Sequence, residues 1–375
     1  MNIKLFTAVL CSVILSTSCI REEALNAEAD IEAVDSAWVN QAISQGILKG
    51  NPLVENDKII FMVKSGTERA NLAPKFVLTQ GATISPENGT SRDFSVPQKY
   101  VVTSQDGEWK KTYTVSFDYA RVSTHYDFEH WEFDSRKQYH VFYEVSPEDQ
   151  QKHYIWASGN GGFAMSGQAK APEQYPTASS DFGRSGKCVR LETKSTGKFG
   201  EGFKMPIAAG NLFIGQFNTN IATIKPLEAT KFGLQIIDSK PIALKGWYKF
   251  TAGKNYQNRQ MEILPDKKDR CDIYAVLYEV DPLNFVPLNG ANITTNDRIV
   301  MMARADNWQE AQDWTYFNIP FENKNGKQFD EERLKNDGYA IAIIFTSSLD
   351  GANFCGAIGS TLYVDEVDLE CEDNK

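Results

Sequence analysis

Apolar and polar residues alternate along much of this chain, and helical spacing is scarce, a pattern that predicts an all-β protein. In "KKTYTVSFD", Tyr113, Val115 and Phe117 alternate with Thr112, Thr114 and Ser116, so one face is buried and the other wet. "KIIFMVKSG", "PKFVLTQGATI" and "QKYVVTS" read as further strands of an immunoglobulin-like β-sandwich spanning residues 29–120. Asp106-Gly107 marks a hairpin between the last two strands, because a type I′ turn needs positive φ. Helical spacing around Trp38 to Leu48 predicts a short helix in a loop.

Beyond "DYARVSTHYDFEHWEF" the runs lengthen and the loops gain Gly, Asn and Pro. "KQYHVFYEV", "KCVRLETKS", "LKGWYKFTAG", "CDIYAVLYEV", "DRIVMMARAD", "WTYFNIPFE", "YAIAIIFTSS" and "STLYVDEVDLEC" predict a larger jelly-roll β-sandwich over residues 125–375. "DEERLKNDG", Asp330 to Gly338, predicts about two helical turns ended by glycine. No internal repeat is visible.

The N-terminus changes the compartment. Lys4 supplies a positive start, Leu5 to Leu15 an apolar core, and Ser16, Thr17 and Ser18 lead to Cys19. This resembles a bacterial lipoprotein signal, with residues 1–18 removed, Cys19 lipidated and residues 19–28 a tether. Leu15 stands one position further from the cysteine than usual, so secretion with cleavage nearby is the alternative. Glu22 and Glu23 resemble the acidic signal that sends some lipoproteins to the cell surface. The expected partners are an outer-membrane lipid anchor and a glycan, with the protein on the surface or periplasmic face.

A net charge of -10 leaves no basic stripe for nucleic acid. Seven Trp and fifteen Tyr suit strands and offer flat faces on which sugar rings stack. Cys188, Cys271, Cys355 and Cys371 allow three pairings, and free buried thiols are the preferred reading. No cofactor is implied.

Two resemblances sharpen this picture. "GATISPENGTSRDFSVPQKYVVTSQDGEWKKTYTVSF" resembles the small immunoglobulin-like domain near the N-terminus of many surface lipoproteins from glycan-foraging bacteria. "YIWASGNGGFAMSG", "YPTASSDFGRSGKCVRLET", "AAGNLFIGQF", "PIALKGWYKFTAG", "DWTYFNIPF" and "IIFTSSLDGANFCGAIGSTLYVDEVDLE" occur in the order of a carbohydrate-metabolism domain family. That likeness implies a jelly roll that handles carbohydrate.

"DEVDLE" raises the question of catalysis. Glu366, Asp368 and Glu370 alternate, as in the Glu-x-Asp-x-Glu strand of laminarinase-type retaining glycosidases. Glu366 and Glu370 are therefore the alternative catalytic pair. Retaining chemistry needs carboxyls ~5–5.5 Å apart, whereas Cα atoms four residues apart on a strand lie ~13 Å apart. Leu362 and Val364 share the glutamates' parity while Val367 and Leu369 do not, which predicts a bulge or a sheet edge.

His125, His130, His140 and His153 lack metal spacing. Asp266, Asp269 and Asp272 suit calcium by type, but the interleaved Lys267, Lys268 and Arg270 favour a solvated loop. No metal site is assigned. What remains is a sugar site: aromatic platforms for the C–H face and short polar groups for the hydroxyl rim. Trp156, Ser158 and Asn160 on a Gly-rich exposed loop lead the candidates, joined by Trp247, Arg304, Ser347 and Ser348. Trp247 and Tyr248 face opposite ways, so at most one reaches a ligand.

A glycan-binding module is the first reading, a glycoside hydrolase the second and a structural component of a surface assembly the third. A polar-aromatic pocket without a close carboxylate pair favours the first. A pair at catalytic spacing favours the second, and no such pocket the third.

Overall fold

A computed structural model describes residues 25–55, 57–63, 67–119, 123–145 and 152–372. The expected signal segment and Cys19 lie outside the described residues.

The N-terminal sheet has five strands, ordered Leu53–Glu55, Lys58–Val63, Lys110–Tyr119, Gln98–Thr103, Thr83–Ser85. Lys58–Val63 and Lys110–Tyr119 run parallel, the rest antiparallel. Tyr113, Val115 and Phe117 are buried as their alternation predicts. The opposing layer is the two-stranded ladder of Ile31–Val34 with Phe76–Leu78. The helix, Ser36–Ser44, is no loop ornament: Asp35 caps it, Val39 and Ala42 are buried, and Trp38 meets the Phe61 ring edge-on at 5.3 Å. The expected hairpin forms, but its turn is Ser104 to Gly107, closed by the Gly107 N–H on the Ser104 carbonyl. Only Gly107 of the Asp-Gly pair has positive φ, so the turn is not type I′.

The larger unit is a two-sheet sandwich, and all eight of its predicted runs contain strands. One sheet has eight strands, with Asn211–Phe217, Tyr339–Thr346, Asp272–Glu279 and Ile299–Arg304 side by side. The other has six, with Cys188–Glu192, Thr361–Cys371, Pro241–Thr251 and Ala311–Pro320 in that order. Between them lies an apolar core that includes Ile273, Ile343, Phe345, Phe250, Leu362 and Leu369.

"YAIAIIF" and "IYAVLY" are apolar at nearly every position because both faces of the eight-stranded sheet are covered. Ala340, Ala342, Val276 and Tyr278 face outward into a second cluster, roofed by Leu288 and Ile293. The remaining end of this outer face is open, and the site lies there. The helix at Glu331–Lys335 is shorter than expected: Asp330 caps it, and Asp337, with φ 56, leaves the helical region before Gly338.

The closing strand Thr361–Cys371 lies inside its sheet, paired to Cys188–Glu192 and His125–Tyr126 on one side and Pro241–Thr251 on the other. Of the two expected causes of the parity switch, the structure has the bulge. Lys245 and Trp247 are two residues apart, yet their partners Asp368 and Asp365 are three apart. Glu366 takes φ 48 and absorbs the extra residue. Leu362, Val364, Val367 and Leu369 all reach the core as a result.

Candidate functional site

Antiparallel register builds the floor of the site. Phe213, Ile344, Tyr274 and Arg304 form one row across four strands, and Asn211, Thr346 and Asp272 form the next. Phe199 from the short helix at 197–202, Phe203 just past its end, Phe163, Phe217 and Phe354 raise apolar walls around them. The cleft encloses about 350 Å³, within the ~300–1,000 Å³ range of small-ligand pockets. Phe199 and Phe203 lie 5.1 Å apart and are 43% and 47% exposed, so the rim offers rings to solvent.

Polar chemistry concentrates at one end. The Arg304 guanidinium donates to Asp272 Oδ2 at 2.6 Å and lies 5.1 Å from the Tyr274 ring. Burial pushes the Asp272 carboxyl up from its ordinary pKa, and Arg304 opposes that shift. The Tyr274 phenol is also raised by burial, with Asp272 adding to the effect. Arg304 remains about one-third exposed, so its unused N–H groups point where a hydroxyl rim or an anion would sit. Asp272 is the single carboxylate among the residues lining this cleft. A neighbouring hollow of about 360 Å³ shares Asp272 and Arg304 and adds Asp306, Glu322 and Trp308.

The rim loop at 349–354 is pinned from below. Asp269 accepts from Ser348 Oγ at 2.6 Å, Ser360 Oγ at 2.7 Å and the amides of Ala357 and Arg270 at 2.7 and 2.9 Å. Asp350 accepts from the Tyr256 hydroxyl and Lys267 Nζ, both at 2.7 Å. Gly351 lets the loop approach Ala209, whose Cβ a side chain at 351 would meet at 2.4 Å. The solvated-loop reading of "PDKKDRCD" is corrected here. Asp269 and Asp272 are each 2% exposed, one a hydrogen-bond hub and the other an ion-pair partner, while Asp266 stands apart in solvent. No cluster of His, Cys, Asp or Glu suited to a metal occurs among the described residues.

Of the sugar-site candidates, the structure brings Arg304 to the cleft, with Ser348 beneath its edge. Trp156 is a correction. It is 4% exposed, packs against Tyr126 and Phe345, and donates its indole N–H to Glu144 at 2.6 Å. Asn160 is fully buried, bonded through its amide to both backbone groups of Thr177, because "SGNGGFA" starts a helix rather than an exposed loop. Ser158 Oγ accepts weakly from the Asn160 amide at 3.4 Å. Ser347 is buried and bonded to Thr193 and Gly210. Trp247 lies on the outer face of the other sheet, and Tyr248, as expected, on the opposite side in the core.

Glu366, Asp368 and Glu370 also lie on that other sheet. Glu366 and Asp368 reach His125 at 3.5 and 2.8 Å, and Glu370 reaches Lys245 at 2.7 Å. Burial alone would lower the His125 pKa, but Asp368 and Glu366 outweigh it and raise it. None of the three lines the cleft. His140 is buried against Trp131, and His130 stacks on Tyr143. The four described cysteines are free thiols, Cys188 and Cys271 buried. Sequence reasoning missed Tyr274, Phe213 and the rim phenylalanines, and it weighed Asp272 only for calcium.

A larger hollow of about 690 Å³ lies where Asp57 and Lys58 meet residues 132–139. Two of its charged groups, Lys58 and Glu132, are already engaged. Lys58 Nζ sits 3.5 Å above the Tyr154 ring, and Tyr154 donates to Glu132 at 2.8 Å.

The fold defines an all-β protein. Residues 127–370 match the Putative carbohydrate metabolism domain family, and the chain belongs to it. Residues 43–116 match the family described as SGBP, N-terminal. A crystal structure described as a putative glycoside hydrolase from Bacteroides thetaiotaomicron is 44% identical, with TM-score 0.84 over 94% of this chain and all of that one. A second of the same description, from Bacteroides vulgatus, is 37% identical, with TM-score 0.62 over 68% of this chain and all of that one. No curated protein matches the chain.

Proposed function

We propose that this chain is an exported lipoprotein, anchored through Cys19, that binds a glycan or sugar in the cleft over Tyr274 and Arg304, in carbohydrate uptake or metabolism. The observation that carries the binding reading is the cleft's single carboxylate, Asp272, already joined to Arg304. Two-carboxylate hydrolysis needs a free acid and a free base or nucleophile flanking one bond. Aromatic walls with an arginine at one end suit a sugar's apolar face and hydroxyl rim instead. In this reading residues 29–120 are a spacer and residues 125–375 the binding unit. The N-terminal signal pattern supports anchoring, and Cys19→Ala would then leave the exported protein soluble; unchanged membrane retention would sink the anchor.

A glycan array probed with the mature protein, with released reducing sugar measured in parallel, tests the function. Binding without release, lost in Arg304→Ala, is the expected result. The second reading, a glycoside hydrolase, is favoured by the description of both similar crystal structures and by Asp306 and Glu322 beside the cleft. Sugar release that disappears with Glu322→Gln would establish it in place of the first.

A further inference from the structure

The outer face of the six-stranded sheet carries a second constellation, on the opposite side of the sandwich from the cleft. Cross-strand register sets Tyr316 beside Trp247, and Lys249 beside Tyr363. Two residues along its strand from Tyr316, Trp314 comes within 5.8 Å of Lys249 Nζ, which also lies 5.9 Å from the Tyr363 ring. Arg184 Cζ lies over Trp247, 3.6 Å from the ring centroid, and Trp247 meets Tyr316 at 5.2 Å. Rings and cations thus interleave: Arg184, Trp247 and Tyr316 in one row; Trp314, Lys249 and Tyr363 in the next. Tyr316 is 50% exposed, and Trp247, Trp314 and Tyr363 are half-buried.

Charge decides what such a face suits. The chain carries -10 overall, yet among the described residues neither Arg184 nor Lys249 has an ion-pair partner. The acids nearby are committed elsewhere. Glu366 and Asp368 both reach His125, Glu370 holds Lys245, Glu192 holds Arg190 and Lys194, and Asp365 lies buried beneath, accepting the amides of Arg184 and Ser185. A cation resting on an aromatic face keeps its remaining N–H groups free to meet an anion. Neighbouring strands are ~4.8 Å apart, so the four rings spread over three adjacent strands, Trp247 and Tyr316 tilted 58° to each other and the 184–185 segment lying over Asp365 at one side. Flat rings spaced along a sheet suit an extended chain of sugar rings, and exposed cations between them suit acidic groups on that chain.

We infer that this face is a second carbohydrate site, separate from the cleft, that takes an extended anionic polysaccharide bearing uronate carboxylates or sulfate esters.

Affinity electrophoresis of the folded mature protein through gels containing polygalacturonate, dextran sulfate or neutral dextran tests this, with melts of every variant. The two anionic polymers should retard the protein and neutral dextran should not; whichever retards more identifies carboxylate or sulfate as the preferred group. Arg184→Glu with Lys249→Glu should weaken retardation at least about tenfold, and Tyr316→Ala, which changes no charge, about three- to tenfold. Lys99→Glu, a single reversal on the exposed face of the N-terminal sheet, should change it less than about twofold, while Lys249→Glu alone, of equal charge change, should weaken it more. Lys249→Met serves where the double reversal lowers the melt. No retardation by either anionic polymer would overturn the inference. So would equal retardation by neutral dextran, an equal loss in Lys99→Glu, or no loss in Tyr316→Ala. Sedimentation showing this face buried between two copies of the chain would overturn it as well.

Discussion

In the cleft, Asp272 is buried and its charge is met by Arg304; on the opposite sheet, Glu366, Asp368 and Glu370 lean outward onto His125 and Lys245. The second place has three carboxylates in a pattern that glycosidases use, the first has one in no pattern at all. The concave surface is nonetheless at the first. Alternation along a strand tells which side chains share a face. It does not tell whether that face is walled, because the walls come from loops 67 to 113 residues away in the chain. Around Asp272 they come from residues 159–166, 196–205 and 348–354.

Five substitutions would break or sharpen this contrast. Trp156→Ala has the largest expected effect, about 3–5 kcal/mol of stability, because it empties a core position and strands Glu144 without its donor. Thermal or denaturant melts check it. A normal melt with weakened sugar binding would return Trp156 to the binding surface. Arg304→Ala should lower cleft affinity at least about tenfold and cost about 2 kcal/mol of stability at neutral pH, since it leaves Asp272 buried and unpaired. Asp272 is already raised by burial, and without Arg304 it rises further. Protonation removes the unpaired charge, so the deficit is full at neutral pH and shrinks as pH falls. A deficit independent of pH would show that the charge is not the cause.

Glu144 gives a pH-dependent test away from both places. Burial raises its pKa from 4.5 to about 7, with the Trp156 N–H pulling the other way. A carboxyl whose folded pKa exceeds its unfolded one destabilises progressively as pH rises between the two. Glu144→Gln keeps an acceptor for Trp156, so it should gain about 1–2 kcal/mol at pH 8 and almost nothing at pH 4.5. A constant difference across that range would refute the burial argument. The smallest expected effects are at the closing strand. Glu366→Gln and Glu370→Gln should change cleft affinity by less than about 0.5 kcal/mol, and stability by about 0–1 kcal/mol from the lost surface pairs. Hydrolysis that vanishes with Glu366→Gln would reverse the contrast.

The fold was largely legible, because two-residue alternation and both-face apolar runs are local signals. Tyr113 to Phe117 and Tyr339 to Phe345 show each kind. The bulge was legible too, as a change of parity between Val364 and Val367. The cleft was not, except for Arg304. Tyr274 sits in "DIYAVLYE", where every residue but the last is buried, so nothing in the run separates a core-facing position from a ligand-facing one. Trp156 misled for the reverse reason. Gly-rich surroundings suggested an exposed loop, but Gly161 and Gly162 let a short helix pack closely against Thr219 and Phe217. Asp269 looked solvated among lysines because its four donors come from residues 270, 348, 357 and 360, and three of those are remote in sequence.

The bulge at Glu366 acts on the closing strand as a one-letter change of reading frame. Upstream of it the core is spelled by Leu362 and Val364, downstream by Val367 and Leu369, and the two halves agree only because one residue is left unpaired. A lineage that lost the codon for Glu366 would close the bulge and leave plain alternation, with Leu362, Val364, Val367 and Leu369 still inward, whereas the loss of two codons would turn Asp368 and Glu370 inward and carry Val367 and Leu369 to the surface. What selection on the fold would hold constant in this segment is therefore the parity of its apolar positions, more than its acidity or its exact length.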